Sequence, residues 1–314
     1  MKWSNLKASL RCPYCESKLT CKFIKSDPRY ENWGVCRCSC DEYPIVEGIF
    51  YLIKDDRRSN RHAVSHIKSR KYLSAVWMLL YTSHRNYKLI ALSAYFFRRW
   101  LQLSLSLKFW LRILKQTGPS KDWITYILER NNRDDIHVAL NLTIRYAKRG
   151  GILLDIGYGL GNLHTLLQKN KFSSFFVGLD KSFCSLFLSA IHREKTDVLL
   201  VCTDVEAGLP FLDSTFTDVV IVDTFCSTFK KEYVISETAR VLRDHRFLYF
   251  VNLYGTSRRS YYWGYGIKYD NLRKMLERYF QKIRFVESCL INGKVRKIKE
   301  ISKTKLSYSG YAIK

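Results

Sequence analysis

Residues 153–162 have the residue types and the spacing of a ligand-binding turn. The stretch reads LLDIGYGLGN, with three glycines at alternate positions directly after an aliphatic run that contains Asp155. Glycines let the backbone turn sharply and approach a ligand closely, because no Cβ is in the way. The third glycine comes one residue too early for the dinucleotide pattern G-x-G-x-x-G. Asp155 disfavours a pyrophosphate, so the stretch favours a ligand with a cationic amine or sulfonium; a tight turn without a ligand is the alternative.

The elements around this turn alternate between strands and helices from residue 151 to residue 314. Buried strands are predicted at GILLDIG, FFVGLD, VLLVCTD, TDVVIVDTF and FLYFVNL, with helical segments between them. This alternation predicts an α/β fold with a doubly wound, mostly parallel sheet and helices on both faces. The glycine turn then lies at the carboxyl end of a strand, where such sheets bind ligands. KIRFVESCL and LSYSGYAIK have no helix-length segment between them and predict a terminal antiparallel hairpin.

Further motifs follow the glycine turn in order. FFVGLDKS, CTDVEAGLPF and SETARVLR, taken with the turn, resemble the class I S-adenosylmethionine-dependent methyltransferases of the type 11-like group. The resemblance implies a Rossmann-like domain over 151–314 and S-adenosylmethionine as cofactor. The resemblance also implies that the Asp180 carboxylate binds both ribose hydroxyls. It implies that Asp204 accepts a hydrogen bond from the adenine amine and that the backbone amide of Val205 contacts the adenine. The implied cofactor-binding residues are Asp155, Gly157, Tyr158, Gly159, Gly161, Asp180, Lys181, Asp204, Val205 and Asp223.

The sequence departs from this family in two places. Tyr158 stands where Cys or Ser is usual, and Asp244-His245-Arg246 replaces a glycine-rich turn, but neither change removes a cofactor-binding group. Methyl transfer is an in-line displacement that depends on alignment and desolvation, so a catalytic base is optional and none is assigned. Cys226 as a nucleophile is the weaker alternative to a pocket-lining thiol, because no proline precedes it.

Six of the ten cysteines lie within the first 40 residues. Cys12 and Cys15 form a C-x2-C turn, which lets two thiolates reach one tetrahedral Zn²⁺. The other two ligands are predicted to be Cys36 and Cys40, although Cys38 could replace either. A unit of this size with few large aliphatic residues needs a metal ion to fold. Residues 1–55 are therefore predicted to form a zinc ribbon.

The first 55 residues also resemble the ribbon of short CPxC…YPI…GI proteins. A ribbon of this kind precedes the methyltransferase domain in bacterial ribosomal RNA guanine-N1 methyltransferases, which are similar to this chain in overall order. The resemblance implies a substrate-binding module without naming the substrate.

Residues 56–150 are predicted to be a basic helical region that binds substrate or caps the site. The net charge is +25, and residues 57–121 contain 14 lysines and arginines and no acid. A field of one sign over such a length favours a polyanionic partner. RNA is the predicted partner, because aromatic residues beside arginines can stack bases and hold phosphates. The predicted substrate residues are Arg98, Arg99, Tyr254, Arg258, Arg259, Tyr262 and Trp263.

An anionic membrane surface is the alternative partner, with a lipid, a quinone-like compound or another small molecule as substrate. No stretch is apolar over about 18 residues, the length that a transmembrane helix needs. The first residues do not resemble a signal peptide. A cytoplasmic protein is therefore expected.

Overall fold

The computed structural model describes residues 8–24, 32–55, 57–80, 85–99, 106–117, 129–192, 198–254, 266–291, 294–300 and 307–314, together with Leu6 and Thr125. Four of the predicted substrate residues, Arg258, Arg259, Tyr262 and Trp263, lie outside the described residues, as do the side chains of Arg99 and Tyr254.

The N-terminal segment forms an antiparallel meander. Its strands are β1 (Thr20–Ile24), β2 (Trp33–Arg37), β3 (Glu42–Val46) and β4 (Ile49–Tyr51). Each strand pairs with the next one along the chain. The tight connection between β3 and β4 uses Glu47 and Gly48, both at positive φ.

Helices fill the described part of the predicted helical region. They are α1 (Ser59–Lys68), α2 (Tyr72–Leu79), α3 (Arg85–Arg99), α4 (Leu107–Thr117) and α5 (Asp134–Tyr146). In α5 the apolar residues Ile136, Ala139 and Leu140 recur at helical spacing and are buried. Two acids in its first turn suit the positive end of the helix dipole.

The central sheet confirms the predicted doubly wound, mostly parallel fold. Its strands are β5 (Ile152–Ile156), β6 (Phe175–Asp180), β7 (Val198–Cys202), β8 (Phe216–Val222) and β9 (Leu242–Tyr254). They lie in the order β7-β6-β5-β8-β9, and all neighbours in this set are parallel. The helices between and after them are α6 (Asn162–Lys169), α7 (Phe183–Ile191), α8 (Lys231–Val241) and α9 (Tyr269–Glu277).

Two apolar cores cover the two faces of this sheet. Leu153 of β5 packs into the core that contains α3, α5 and α7, whereas its neighbour Leu154 packs into the core that contains α8 and α9. Successive residues of a strand point to opposite faces, so β5, β7 and β8, in which every residue is buried, are covered on both sides.

The C-terminal strands are antiparallel, as predicted, but three strands are present. They are β10 (Lys282–Ile291), β11 (Lys294–Glu300) and β12 (Ser307–Ile313). β12 lies between β9 and β10, and β11 forms the outer edge. β11 was not predicted, because KVRKIKE is dominated by charged residues and lacks the apolar signal of a buried strand.

The N-terminal meander, which was predicted to be a zinc ribbon, and the central strands form one continuous sheet. β4 pairs in parallel with β7, with Ile49 opposite Leu200 and Tyr51 opposite Cys202. The amide of Leu52 extends this pairing by donating to the carbonyl of Cys202 at 2.7 Å. Among the described residues, no helix has the length and the apolar character needed to cross a bilayer.

Candidate functional site

The glycine turn follows β5 directly, as predicted. Gly157, Gly159 and Gly161 have φ values of +83°, +55° and +77°, a region that favours glycine. The amides of Gly157 and Tyr158 both donate to the carbonyl of Leu179 in β6, at 2.8 and 3.0 Å. A Cβ at Gly157 would overlap Thr224, whereas a Cβ at Gly159 would meet no atom within 4 Å. Gly159 therefore borders open space, and a ligand can lie against its backbone.

A cavity of about 510 Å³ opens at the carboxyl ends of β5, β6, β7 and β8. It brings together nine of the ten predicted cofactor-binding residues, namely Asp155, Gly157, Tyr158, Gly159, Asp180, Lys181, Asp204, Val205 and Asp223. Gly161 does not line the cavity; it is the N-cap residue of α6.

Asp180 is fixed at the end of β6 by two backbone donors. Its Oδ2 accepts from the amide of Gly159 at 2.7 Å, and its Oδ1 accepts from the amide of Ser182 at 2.8 Å. Burial raises the pKa of Asp180, and these hydrogen bonds act in the opposite direction. The carboxylate thus ties the glycine turn to the next strand and faces the cavity in a set position.

Asp155 is a buried acid that faces the cavity. Its residue is 7% exposed, and within the described part of the chain no hydrogen bond reaches its carboxylate. Burial and the nearby charge of Asp180 raise the pKa of Asp155 to about 7, while Arg130 opposes the shift. A cation bound beside Asp155 would favour its ionised form, so the site is suited to a positively charged ligand.

Asp204 begins a short 3-10 helix, Val205–Ala207, on the far side of the cavity. Its Oδ1 accepts from the amide of Glu206 at 3.0 Å, and its Oδ2 lies 2.6 Å from Nζ of Lys181. The Lys181 side chain is 71% exposed, so this ion pair contributes little to stability. Its geometry nevertheless keeps Asp204 and Lys181 together at the cavity rim.

Tyr158 fits where the family has a smaller residue, because its ring points into the protein. The residue is 4% exposed, and its hydroxyl lies 3.2 Å from Nδ1 of His164. The ring packs over Gly178 of β6, where a Cβ would overlap it. The bulky side chain therefore does not fill the cavity.

A buried polar cluster lies on the β8–β9 side, and only one of its members, Asp223, was predicted as a site residue. Arg130 donates to Asp135 at 2.6 Å and to Asp223 at 3.4 Å. Asn252 donates to the same two acids, at 3.1 and 2.9 Å. Asp223 and Asn252 have φ values of +57° and +60°, an uncommon conformation for residues other than glycine that clusters at functional sites. Arg130 and Asp223 line the cavity.

Cys226 is buried and does not line the cavity. Its Sγ lies 3.9 Å from the carbonyl oxygen of Asn252. This position gives no support to the alternative of a nucleophilic cysteine.

Four cysteines of the ribbon come together, but the set differs from the predicted one. The Sγ atoms of Cys12, Cys15, Cys38 and Cys40 all lie within 4.8 Å of one another. The prediction of Cys36 as a ligand is wrong, because Cys36 lies directly opposite Cys21 across β1 and β2 and forms a disulfide with it. Cys38 follows the end of β2 and takes the fourth place.

The donor set of this cluster fits Zn²⁺. Four thiolates at these separations can surround one tetrahedral ion with bonds of about 2.3 Å. Burial opposes ionisation of Cys15, but hydrogen bonds from Ser17 and Ser39 lower its pKa to about 5. Nζ of Lys54 lies 3.1 Å from Sγ of Cys40 and places a positive charge beside the thiolates.

The cysteine cluster lies close to the cavity rim. Tyr14, between Cys12 and Cys15, accepts a hydrogen bond from the amide of Lys54 at 2.9 Å. Tyr14 and Lys54 line a second cavity of about 660 Å³. Its opposite wall includes Lys181 and Asp204, which also line the first cavity.

The predicted substrate residues are not brought together by the described structure. Arg98 is half-buried on α3. The other six lie, wholly or by their side chains, outside the described residues.

Part of the central sheet region is similar to a known protein family. Residues 154–250 match the family model described as a methyltransferase domain. A search of curated proteins found no match.

Three solved structures are similar to the chain. A chain of the Haloferax volcanii complex between the Trm112 methyltransferase activator and a methyltransferase is 16% identical, with 62% of this chain and 95% of that chain covered and a TM-score of 0.48. An SAM-dependent methyltransferase from Thermotoga maritima is 13% identical, with 65% and 99% covered and a TM-score of 0.47. Another from Archaeoglobus fulgidus is 18% identical, with 62% and 100% covered and a TM-score of 0.44.

Proposed function

We propose that the chain transfers a methyl group from S-adenosylmethionine bound in the cavity at the carboxyl ends of β5–β8. The observation that carries the proposal is the arrangement around the glycine turn. Asp155 offers a carboxylate without a hydrogen-bond donor from the described residues, Gly159 borders open space, and Asp180 is held in place between them. When bound, the cofactor would supply a methyl group bonded to a sulfonium sulfur, which leaves as a neutral thioether when an acceptor attacks the methyl carbon.

The charges of the cavity suit this cofactor. Its amino group and its sulfonium are cationic, and two acids lie at the glycine turn, the buried Asp155 and the partly buried Asp180. We assign Asp155 to the cationic part of the cofactor, and Asp180 to the ribose hydroxyls. We assign Asp204 and the backbone amide of Val205, at the rim, to hydrogen bonds with the adenine.

We assign a positioning role to the polar cluster of Arg130, Asp135, Asp223 and Asn252. Two of its members, Arg130 and Asp223, line the cavity on the β8–β9 side, and Asp135 and Asn252 hold them from behind. We assign this side of the cavity to the acceptor. Every member has a partner within the cluster, so its geometry is set before an acceptor arrives. Alignment of this kind is a main source of rate in a displacement reaction, and no catalytic base is assigned.

We also propose that Cys12, Cys15, Cys38 and Cys40 hold one Zn²⁺ with a structural role. Four protein ligands leave no open position on a tetrahedral ion, which is typical of structural zinc. The ion would fix the loop that carries Tyr14, and with it one wall of the second cavity.

RNA remains a proposal for the substrate. Its support is the net charge of +25 and the acid-free stretch 57–121. The base-stacking residues that it requires lie outside the described residues. An anionic membrane surface is the second candidate for the partner. The observation in its favour is the group of exposed apolar side chains on α2, α3 and α4.

The experiment that tests the proposed function compares two glycine variants. Gly159→Val should abolish cofactor binding in calorimetry, because the side chain would occupy the space beside the turn. Gly150→Val is a matched control, since Gly150 also has positive φ (+70°) and a Cβ there would meet no atom within 4 Å, but it lies outside the cavity. Both variants carry a similar backbone strain of about 1–2 kcal/mol. A folded Gly159→Val protein with unchanged affinity would refute the cofactor site.

A further inference from the structure

Helices α2, α3 and α4 carry a concentration of exposed apolar side chains. Of the nine large apolar residues that are exposed in the described structure, five lie on these helices, namely Leu73, Trp77, Leu89, Phe96 and Phe109. Their exposed fractions range from 43% to 48%. Contiguous exposed apolar surface of this kind marks an interaction site in a protein that is otherwise well packed.

A groove connects the helices of this surface. It measures about 570 Å³ and runs between α2 and α3, lined by Leu73, Trp77, Met78, Leu92 and Phe96. A chain of ring contacts extends it to α4. Phe96 contacts Phe97, Phe97 contacts Trp110, and Trp110 contacts Phe109, with centroid distances of 6.4, 5.5 and 5.4 Å.

Cations border the apolar residues. Nζ of Lys88 lies 5.5 Å from the ring centroid of Trp77. Arg70 and Lys71 directly precede α2, and Arg112 lies one turn from Phe109 on α4. Within the described part of the chain, Arg70, Lys71 and Arg112 are exposed and form no ion pair. Because residues 57–121 contain no acid, nothing on these helices neutralises that charge.

We infer that this surface, defined as the α2–α4 surface, docks on an anionic membrane. Leucine, phenylalanine and tryptophan beside lysine and arginine are the composition of helices that lie in the lipid interface. The apolar side chains would enter the boundary between head groups and acyl chains, while the cations meet anionic head groups. The inference goes beyond methyl transfer and does not depend on it.

The side-chain chemistry favours lipid over RNA. Bases stack on aromatic rings and on guanidinium planes, but Leu73, Leu89 and Leu92 have no π face. RNA on this surface would leave those leucines in water, whereas a lipid interface removes them from it.

The test measures sedimentation of the full-length protein with vesicles, in the absence of cofactor. Vesicles of phosphatidylcholine mixed with phosphatidylglycerol should bind the protein, and vesicles of phosphatidylcholine alone should bind it far more weakly. Leu73→Glu on α2 and Leu89→Glu on α3 should each weaken binding by roughly tenfold or more, because each loses an apolar contact and adds a repelled charge.

Leu212→Glu is the matched control. Leu212 is 52% exposed, lies outside the α2–α4 surface and undergoes the same change in charge. It should weaken binding by less than about threefold. Circular dichroism checks that each variant is folded. Leu73 and Leu89 lie on different helices and are about half exposed, so if one variant does not fold, the other still tests the inference.

Two results would overturn the inference. One is equal loss of binding in Leu212→Glu and in both surface variants, since only net charge would then matter. The other is binding of a structured RNA that neither surface variant weakens, together with no preference for phosphatidylglycerol vesicles, which would assign the positive charge to RNA.

Discussion

Replacing Asp155 with asparagine should stabilise the cofactor-free protein at neutral pH. In the folded state the pKa of Asp155 is raised to about 7, chiefly by burial, from an ordinary value of 3.8. Between these two pH values the unfolded chain releases a proton that the folded chain keeps. The contribution of Asp155 to the free energy of unfolding is therefore fully present below about pH 4. It falls by about 4 kcal/mol as the pH rises to about 7. Asparagine has the same shape and no charge, so it avoids this loss.

Urea unfolding of both proteins at several pH values measures the effect. The stability difference between Asp155→Asn and the natural protein should be near zero at about pH 4, grow by about 1.4 kcal/mol per pH unit, and level off above about pH 7. Asp244→Asn is a control, because the Asp244 side chain is 75% exposed, and it should change stability by less than about 1 kcal/mol.

The same substitution should weaken cofactor binding, because the neutral amide no longer attracts a cation. Gain of stability with loss of binding is typical of a residue kept for function. A stability difference that does not vary with pH would refute the reasoning, since Asp155 would then have an ordinary pKa in the folded protein.

Three further predictions concern the ribbon, the polar cluster and the pH dependence of binding. Metal analysis should find about one zinc per chain; Cys38→Ser should lose it, whereas Cys36→Ser should keep it, and retention in Cys38→Ser would reject the four-cysteine site. Arg130→Met should destabilise the protein by about 3–5 kcal/mol in urea unfolding, because it removes the guanidinium that contacts the buried carboxylates of Asp135 and Asp223. Asp223→Asn should restore part of the loss, and an unchanged midpoint would show that this contact does not stabilise the fold. Cofactor affinity measured by calorimetry should rise with pH up to about pH 7 as Asp155 ionises, with a flatter dependence in Asp155→Asn.

The sequence was most informative where the signal is local. The strands β5–β9 and the glycine turn could be predicted because apolar runs and glycine spacing are properties of adjacent residues. The fourth metal ligand could not, because the choice between Cys36 and Cys38 depends on strand register, which places Cys36 opposite Cys21. Arg130 was missed for a related reason. Its partner Asp223 is 93 positions away in the sequence, and an arginine in a polar stretch resembles any solvated residue.

The parallel pairing of β4 with β7 has a consequence for the order in which the chain can fold during synthesis. The N-terminal meander leaves the ribosome before β7, so the outer edge of β4 stays unpaired until the residues around Leu200 have been made. A non-local parallel pair of this kind forms slowly, and an open strand edge can meanwhile pair with another chain. A truncated protein that begins at residue 56 would expose the opposite edge, that of β7, whose five residues are all buried in the intact sheet. The N-terminal unit therefore cannot be removed or exchanged as an independent module without leaving the central sheet prone to aggregation.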